Sequence, residues 1–214
     1  TWALRVGNAG MVRFVDDLEL LRAPDLGLRN EAHGRFRRDD PAKGLQAATL
    51  GFGQSINVTP VMLAGAFAMI GNEGIWHAPR LVTEVGSVAE KRDPGRRILD
   101  ADVANNVLKL MASVIQSDEG TGAKLRIPGY RLAGKTGTAQ KTNRSTGTMK
   151  GGGYVASFVG FVPAAKPQAM ILVMVDNPKG SSFYGSQVAG PVFRELAGAV
   201  IREFGIPPTS GAAP

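Results

Sequence analysis

Ala133-Gly134-Lys135-Thr136-Gly137-Thr138-Ala139 packs an ammonium group, a glycine and two hydroxyls into four consecutive residues, Lys135 to Thr138. Before it, Pro128-Gly129 makes a turn that leads into apolar Leu132 and Ala133. After it, residues 140–153 hold four glycines and one large apolar side chain, Met149. Residues 154–163 and 169–175 then read as two further buried strands. Lys135 is therefore expected in the first of three strand-like segments, where a cation can meet an anion beside exposed backbone.

Two readings compete for this stretch. Residues 129–136 match the letters of a phosphate-cradling P-loop. That chemistry needs a helix starting at the Lys-Thr pair, whose N–H groups and positive end face the phosphates. Gly137 follows at once, and 140–153 cannot supply a helix with an apolar face. Pro128 also disrupts the strand that should come before. The other reading places Lys-Thr-Gly-Thr on a strand. An ordinary edge strand with a solvated lysine is the bland alternative.

The chain has 214 residues, 43% of them hydrophobic, enough to bury a substantial core in one or two domains. The 28 glycines and 13 prolines imply many turns. The net charge of +7 allows an anionic envelope surface or an anionic substrate as partner. Nucleic acid is not expected, because the basic residues are scattered and few aromatics lie among them. With no cysteine, disulfides, thiolate catalysis and cysteine metal sites are excluded. His33 and His77 are far apart in loop-like contexts, so neither a metal nor a cofactor is expected. The longest apolar run, residues 61–70, is too short to span a bilayer. The chain opens at Thr1-Trp2 with neither Met nor signal sequence, and is expected to be part of something longer.

Along the chain, helices are expected over residues 11–21 and 60–70. Thr59 is the N-cap of the second and Pro60 its first residue. That helix is apolar nearly all round and is expected to be central and buried. Residues 30–44 read as a charged surface excursion in which Arg35, Arg37 and Arg38 are more simply a solvated face than an anion patch. A strand over 78–85 and a polar connection over 87–97 come next. A helix over 100–115 should turn Val103, Val107, Leu110, Met111 and Val114 inward. The last helix opens at Pro191 with a stripe of Val192, Leu196, Val200 and Phe204. Residues 1–206 are expected to form one folded portion and 207–214 a disordered tail.

Several motifs in one order resemble the transpeptidase domain of class B penicillin-binding proteins. They are Gly51-Phe52-Gly53-Gln54, Val58-Thr59-Pro60, Gly71-Asn72-Glu73-Gly74, Gly134 to Ala139, Tyr154 to Pro163, and Tyr184-Gly185 with Ala189 to Phe193. The resemblance implies an α/β fold of the α+β type, with helices on both faces of a mainly antiparallel, five-stranded sheet. It implies acyl transfer from a D-alanyl-D-alanine stem peptide through a serine ester, with β-lactams as mimics of the donor. Lys135 would hold positive potential beside the nucleophile and the substrate carboxylate. Thr136 and Thr138 would offer it hydroxyls, and the Thr138 N–H would be one of two oxyanion donors. Gly137 would let a substrate strand lie against its backbone, a form of strand addition. The implied setting is the extracytoplasmic face of the bacterial inner membrane, with other cell-wall synthesis proteins as partners.

The sequence departs from that family in two places. No serine is followed three residues later by lysine, so the nucleophilic Ser-x-x-Lys is expected on a segment before Thr1. Thr121-Gly122-Ala123-Lys124 has the spacing but sits in a turn. The Ser-x-Asn motif has a literal match in Ser55-Ile56-Asn57, yet the positional match is Asn8, with Val6 where serine stands. Val6 leaves open a non-catalytic, penicillin-sensing or scaffold module of the same fold. A serine β-lactamase would need a deacylating carboxylate that cannot be placed near Lys135.

Overall fold

The computed structural model describes residues 2–36, 45–91, 93–143 and 145–209. The chain divides into two compact units: Thr1–Met69 with Gly74–Asp100, and Ile70–Glu73 with Ala101–Pro214.

The first unit opens with helix α1, Trp2–Asp17. It begins well before the expected residue 11, and Gly7 breaks it with non-helical φ 73° and ψ 168°. A left-handed φ of this kind is accessible to glycine without the Cβ clash other residues suffer. Val15 and, beyond the helix, Leu18 and Leu20 are buried. The following loop is organised by Glu31, whose Oε1 accepts the N–H groups of Leu26 and Leu28, both at 2.8 Å. These bonds hold its carboxyl below the usual range. Strand β1 (Arg35–Phe36) pairs antiparallel with β2 (Ile56–Asn57), and α2 (Leu45–Leu50) lies between them in sequence. Arg37 and Arg38 of the expected surface patch fall outside the described residues.

Helix α3, Pro60–Gly71, starts as the sequence indicates. Thr59 Oγ1 accepts the Met62 N–H at 3.2 Å, satisfying a first-turn donor that has no partner within the helix. It is less enclosed than its composition suggests. Met62, Ala66 and Met69 are buried, but most of its other side chains are half-exposed. Residues 75–97 hold short strands where one strand and a polar link were expected. Strand β3 (Ile75–Trp76) pairs with β6 (Arg96–Arg97), and β4 (Glu84–Val85) with β5 (Val88–Ala89). Runs of two residues are too short to show an alternation that sequence reading could detect. Buried Trp76 carries the Arg96 guanidinium over its ring, 5.4 Å from the centroid. Arg96 also donates to the Asp17 carbonyl, so this side chain holds the end of α1 to β6.

The second unit holds α4 (Ala101–Gln116), a single 3-10 turn (Ala123–Leu125) and strands β7 (Ala133–Gln140), β8 (Tyr154–Val162) and β9 (Ala169–Asp176). Short α5 (Gly185–Val188) and α6 (Gly190–Glu203) complete it. The three strands form one antiparallel sheet in the order β7-β8-β9. All described strand pairs are antiparallel, and the architecture is α+β as expected. The resemblance implies a five-stranded sheet; among the described residues this sheet has three strands.

Arg126 sets the path from α4 into β7. Its guanidinium caps the helix end, donating to the Ile115 carbonyl at 3.0 Å and the Gln116 carbonyl at 2.8 Å. These are carbonyls that the helix itself leaves unpaired. The core then centres on Phe158 and Phe193, both fully buried, with ring centroids 4.7 Å apart. They fit because the facing pair Gly134↔Gly160 has no side chains. A Cβ on Gly134 would lie 2.6 Å from the Phe158 ring, and one on Gly160 would lie 2.5 Å from Phe193 Cε2.

Two helices present different faces from those expected. In α4, Met111 is buried as expected, together with Ala104, Leu108, Ala112 and Ile115, while Val103 is 46% and Leu110 70% exposed. In α6, Phe193, Ala197 and Ile201 are buried, one position on from the expected stripe, and Val192, Leu196 and Phe204 are exposed. Each helix carries two apolar stripes. Small residues decide which one faces inward, because alanine and glycine let the backbone approach the sheet. Of the tail expected over residues 207–214, residues 210–214 lie outside the described residues, and Thr209 is held in place. Its N–H donates to the Gly129 carbonyl at 2.9 Å, and its Oγ1 accepts the Arg131 N–H at 2.7 Å.

Two measurements check this account. Phe193→Ala leaves a cavity over the paired glycines and should cost about 3–5 kcal/mol in urea unfolding. Glu31 has its folded pKa lowered from the ordinary 4.5, so its stabilisation is full above that value and disappears as pH falls through the folded one. Glu31→Gln should therefore lower Tm at neutral pH, and the difference from wild type should close as the solution is acidified.

Candidate functional site

Strand β7 builds the site. It pairs with β8 alone among the described strands, so its outer border keeps backbone donors and acceptors open. Thr136 and Gly137 are half-buried, and Lys135 and Thr138 are exposed. The strand continues to Gln140, five residues past Lys135. No helix begins at the Lys-Thr pair, which overturns the P-loop alternative: there is no helix N-terminus to face a phosphate.

The Lys135 ammonium donates to the Thr136 carbonyl at 2.6 Å. Thr138 Oγ1 accepts the Gly185 N–H at 3.2 Å, so the hydroxyl of β7 anchors the start of α5. The two backbones meet closely there. A Cβ on Gly185 would lie 2.5 Å from the Gly137 carbonyl oxygen and closer still to that of Ser157. A Cβ on Gly137 would press on the Ser157 hydroxyl. Sequence reading singled out Gly137 for its missing side chain. It did not find Ser157, which lies opposite Gly137 in the register, or the role of Gly185. Neither contact leaves a local sequence signal, because both are made between segments distant along the chain.

An aromatic stack stands at the Gln140 end of β7, where Tyr154 pairs with Gln140. Tyr154 and Phe183 are parallel, centroids 4.1 Å apart, and Tyr184 tilts against Phe183 at 4.7 Å. Beside it lies a cleft of about 330 Å³ whose lining includes Gly153, Tyr154, Asn177, Lys179, Ser182 and Phe183. Lys141 joins the loop after β7 to the end of β9 through Asp176 at 2.6 Å. Arg144 of that loop lies outside the described residues. Of the expected site residues, the structure gathers Lys135, Thr136, Gly137 and Thr138 on one strand. Asn8 lies in α1 of the first unit, immediately after the break at Gly7.

The profile of the penicillin binding protein transpeptidase domain matches residues 1–198. The chain is 32% identical over 206 residues to the peptidoglycan D,D-transpeptidase FtsI of Escherichia coli K12, covering 96% of this chain and 34% of the relative. It is 28% identical to the stage V sporulation protein D of Bacillus subtilis, covering 95% of this chain and 32% of that one. The chain thus spans about a third of the length of these curated relatives. Among solved structures it superposes on penicillin binding protein 3 of Mycobacterium tuberculosis complexed with aztreonam. The TM-score is 0.84 at 29% identity, over 98% of this chain and 49% of that one. The transpeptidase domain of Burkholderia pseudomallei penicillin-binding protein 3 gives 0.83 at 29% identity, over 97% of this chain and 62% of that one.

The two glycines should differ under substitution. Gly185→Ala drives a methyl into fixed carbonyl oxygens and should cost about 1–3 kcal/mol in denaturant unfolding. Gly137→Ala meets only a hydroxyl that can rotate away, and should cost less.

Proposed function

The chain belongs to the penicillin-binding protein transpeptidase family, and from that premise we propose that it is the carboxylate-gripping portion of a peptidoglycan D,D-transpeptidase. The observation that carries this is the placement of Lys135, Thr136, Gly137 and Thr138 along one open strand border. The Lys135 ammonium attracts the terminal carboxylate of a D-alanyl-D-alanine stem peptide or of a β-lactam. The Thr136 hydroxyl donates to it. Thr138 Oγ1 already accepts from Gly185, so its own hydrogen is free to be donated to that carboxylate. The peptide lies against Gly137 as an added strand, and the Thr138 N–H serves the developing oxyanion.

The reaction then runs in two steps. A serine Oγ attacks the carbonyl carbon of the penultimate D-alanine, the ester forms and the terminal D-alanine leaves. An amine of a second stem peptide attacks the ester, forming the cross-link and releasing the serine. That serine is assigned to a segment outside these 214 residues, since no Ser-x-x-Lys occurs in them. Asn8 is the candidate for the polar partner near the nucleophile. The break at Gly7 leaves Asn8 at the start of a helical piece, in line with its reading as the positional match to the middle motif. The setting is the extracytoplasmic face of the membrane, where the substrate is. Among the described residues no helix is long and apolar enough to cross a bilayer.

Val6, exposed where the family has serine, favours a second reading as a binding module without turnover. Labelling with fluorescent penicillin tests the first reading. The parent protein should be acylated, and Lys135→Ala should slow acylation by about 100-fold or more. The 214-residue chain by itself should stay unlabelled; labelling there would place the nucleophile within it. A parent that is acylated but forms no cross-links supports the second reading.

A further inference from the structure

A second recess lies in the same unit, along the border of the buried stripe of α4, where Leu108 and Ala112 meet the polar side of the helix. It has a volume of about 530 Å³ and runs between Asp102, Asn105, Asn106 and Lys109 on the helix and Arg131 with the Ala164–Ala165 corner. Its floor is apolar and small: Leu108, Ala112 and Ala164 are 5%, 7% and 6% exposed. Its rim is polar. The Arg131 carbonyl accepts the Ala164 N–H at 2.8 Å, which closes one end. The Gln116 carboxamide donates to the Leu132 carbonyl at 3.4 Å, tying α4 to the foot of β7.

None of the lead or alternative catalytic roles uses these side chains. Carboxamides at the successive positions 105 and 106 both line the recess, and each offers donors and an acceptor, the complement of a peptide backbone. The Lys109 ammonium and the Arg131 guanidinium offer charge-assisted bonds to carboxylates. Alanine and leucine underneath suit small side chains. From this juxtaposition we propose that the recess docks an extended acidic segment of a partner protein, its backbone on Asn105 and Asn106 and its carboxylates on Lys109 and Arg131. Phosphate alone would leave the carboxamides and the apolar floor unused. Nucleic acid would find two cations and no aromatic ring on which a base could stack. The proposal stands apart from the transpeptidase reading and survives or fails without it.

Fluorescence anisotropy of a labelled (Glu-Ala)5 peptide with the 214-residue chain is the test, with circular dichroism to confirm folding of each variant. Wild type should bind, and Lys109→Glu with Arg131→Glu should weaken binding by about tenfold or more. Asn105→Ala with Asn106→Ala should weaken it several-fold at unchanged net charge. Arg80→Glu with Lys91→Glu, exposed in the other unit, should change it by less than twofold. An equal loss from that control would overturn the proposal, since the +7 net charge would then explain the binding. Absence of binding, or displacement of the peptide by an equal concentration of inorganic phosphate, would overturn it as well.

Discussion

Two phenyl rings fill the space left by two glycines, and the sheet-bearing unit depends on that fit. Phe158 comes from the middle strand and Phe193 from the last helix, and they meet within 4.7 Å over the facing residues Gly134 and Gly160. The strand carrying Lys135 is held by its middle neighbour on one side only. Its position therefore follows from how that neighbour packs against α6 and how β7 itself packs against α4. A side chain at either glycine would separate the layers and move the candidate site with them.

The same logic recurs at the border of the sheet. Gly185 presses on the carbonyl oxygens of Gly137 and Ser157, while its N–H reaches Thr138 Oγ1. One contact restrains the aromatic segment 183–184 and orients a hydroxyl on β7. Backbone meeting backbone has little freedom to give, so this border is held rigidly. The core glycines and the border glycines thus do different work: the first make room for rings, the second bring two chain segments together.

Much of this was legible in residue order. Lys-Thr-Gly-Thr before a glycine-rich loop marked a strand and argued against a phosphate loop, because no helix could follow. Residues 154–163 and 169–175 read correctly as strands, since continuous apolar runs lie between turns; β8 is largely buried as expected, but in β9 Val173 alone is buried. Thr59-Pro60 marked the start of a helix by the chemistry of its first turn. The failures share a cause. In α4 and α6 the sequence reading turns the large apolar residues inward, yet Ala104, Ala112 and Ala197 sit against the core beside three larger side chains in α4 and two in α6. Periodicity finds an apolar stripe but cannot choose between two on one helix. Thr209 likewise sits in a stretch that composition alone marks as a tail, yet two hydrogen bonds pin it.

Order along the chain by itself determined the strand that carries Lys135, the chemical character of its four residues and the family they point to, because all are local or arranged as a series of motifs. It also determined that no Ser-x-x-Lys is present, which is a matter of letters. Only the tertiary structure decided that Thr138 accepts from Gly185, that Ser157 lies opposite Gly137, that Tyr154, Phe183 and Tyr184 stack, and which face of each helix is covered. Each of these joins or compares segments far apart in sequence, and such pairings are settled by the space that remains once the whole core has packed.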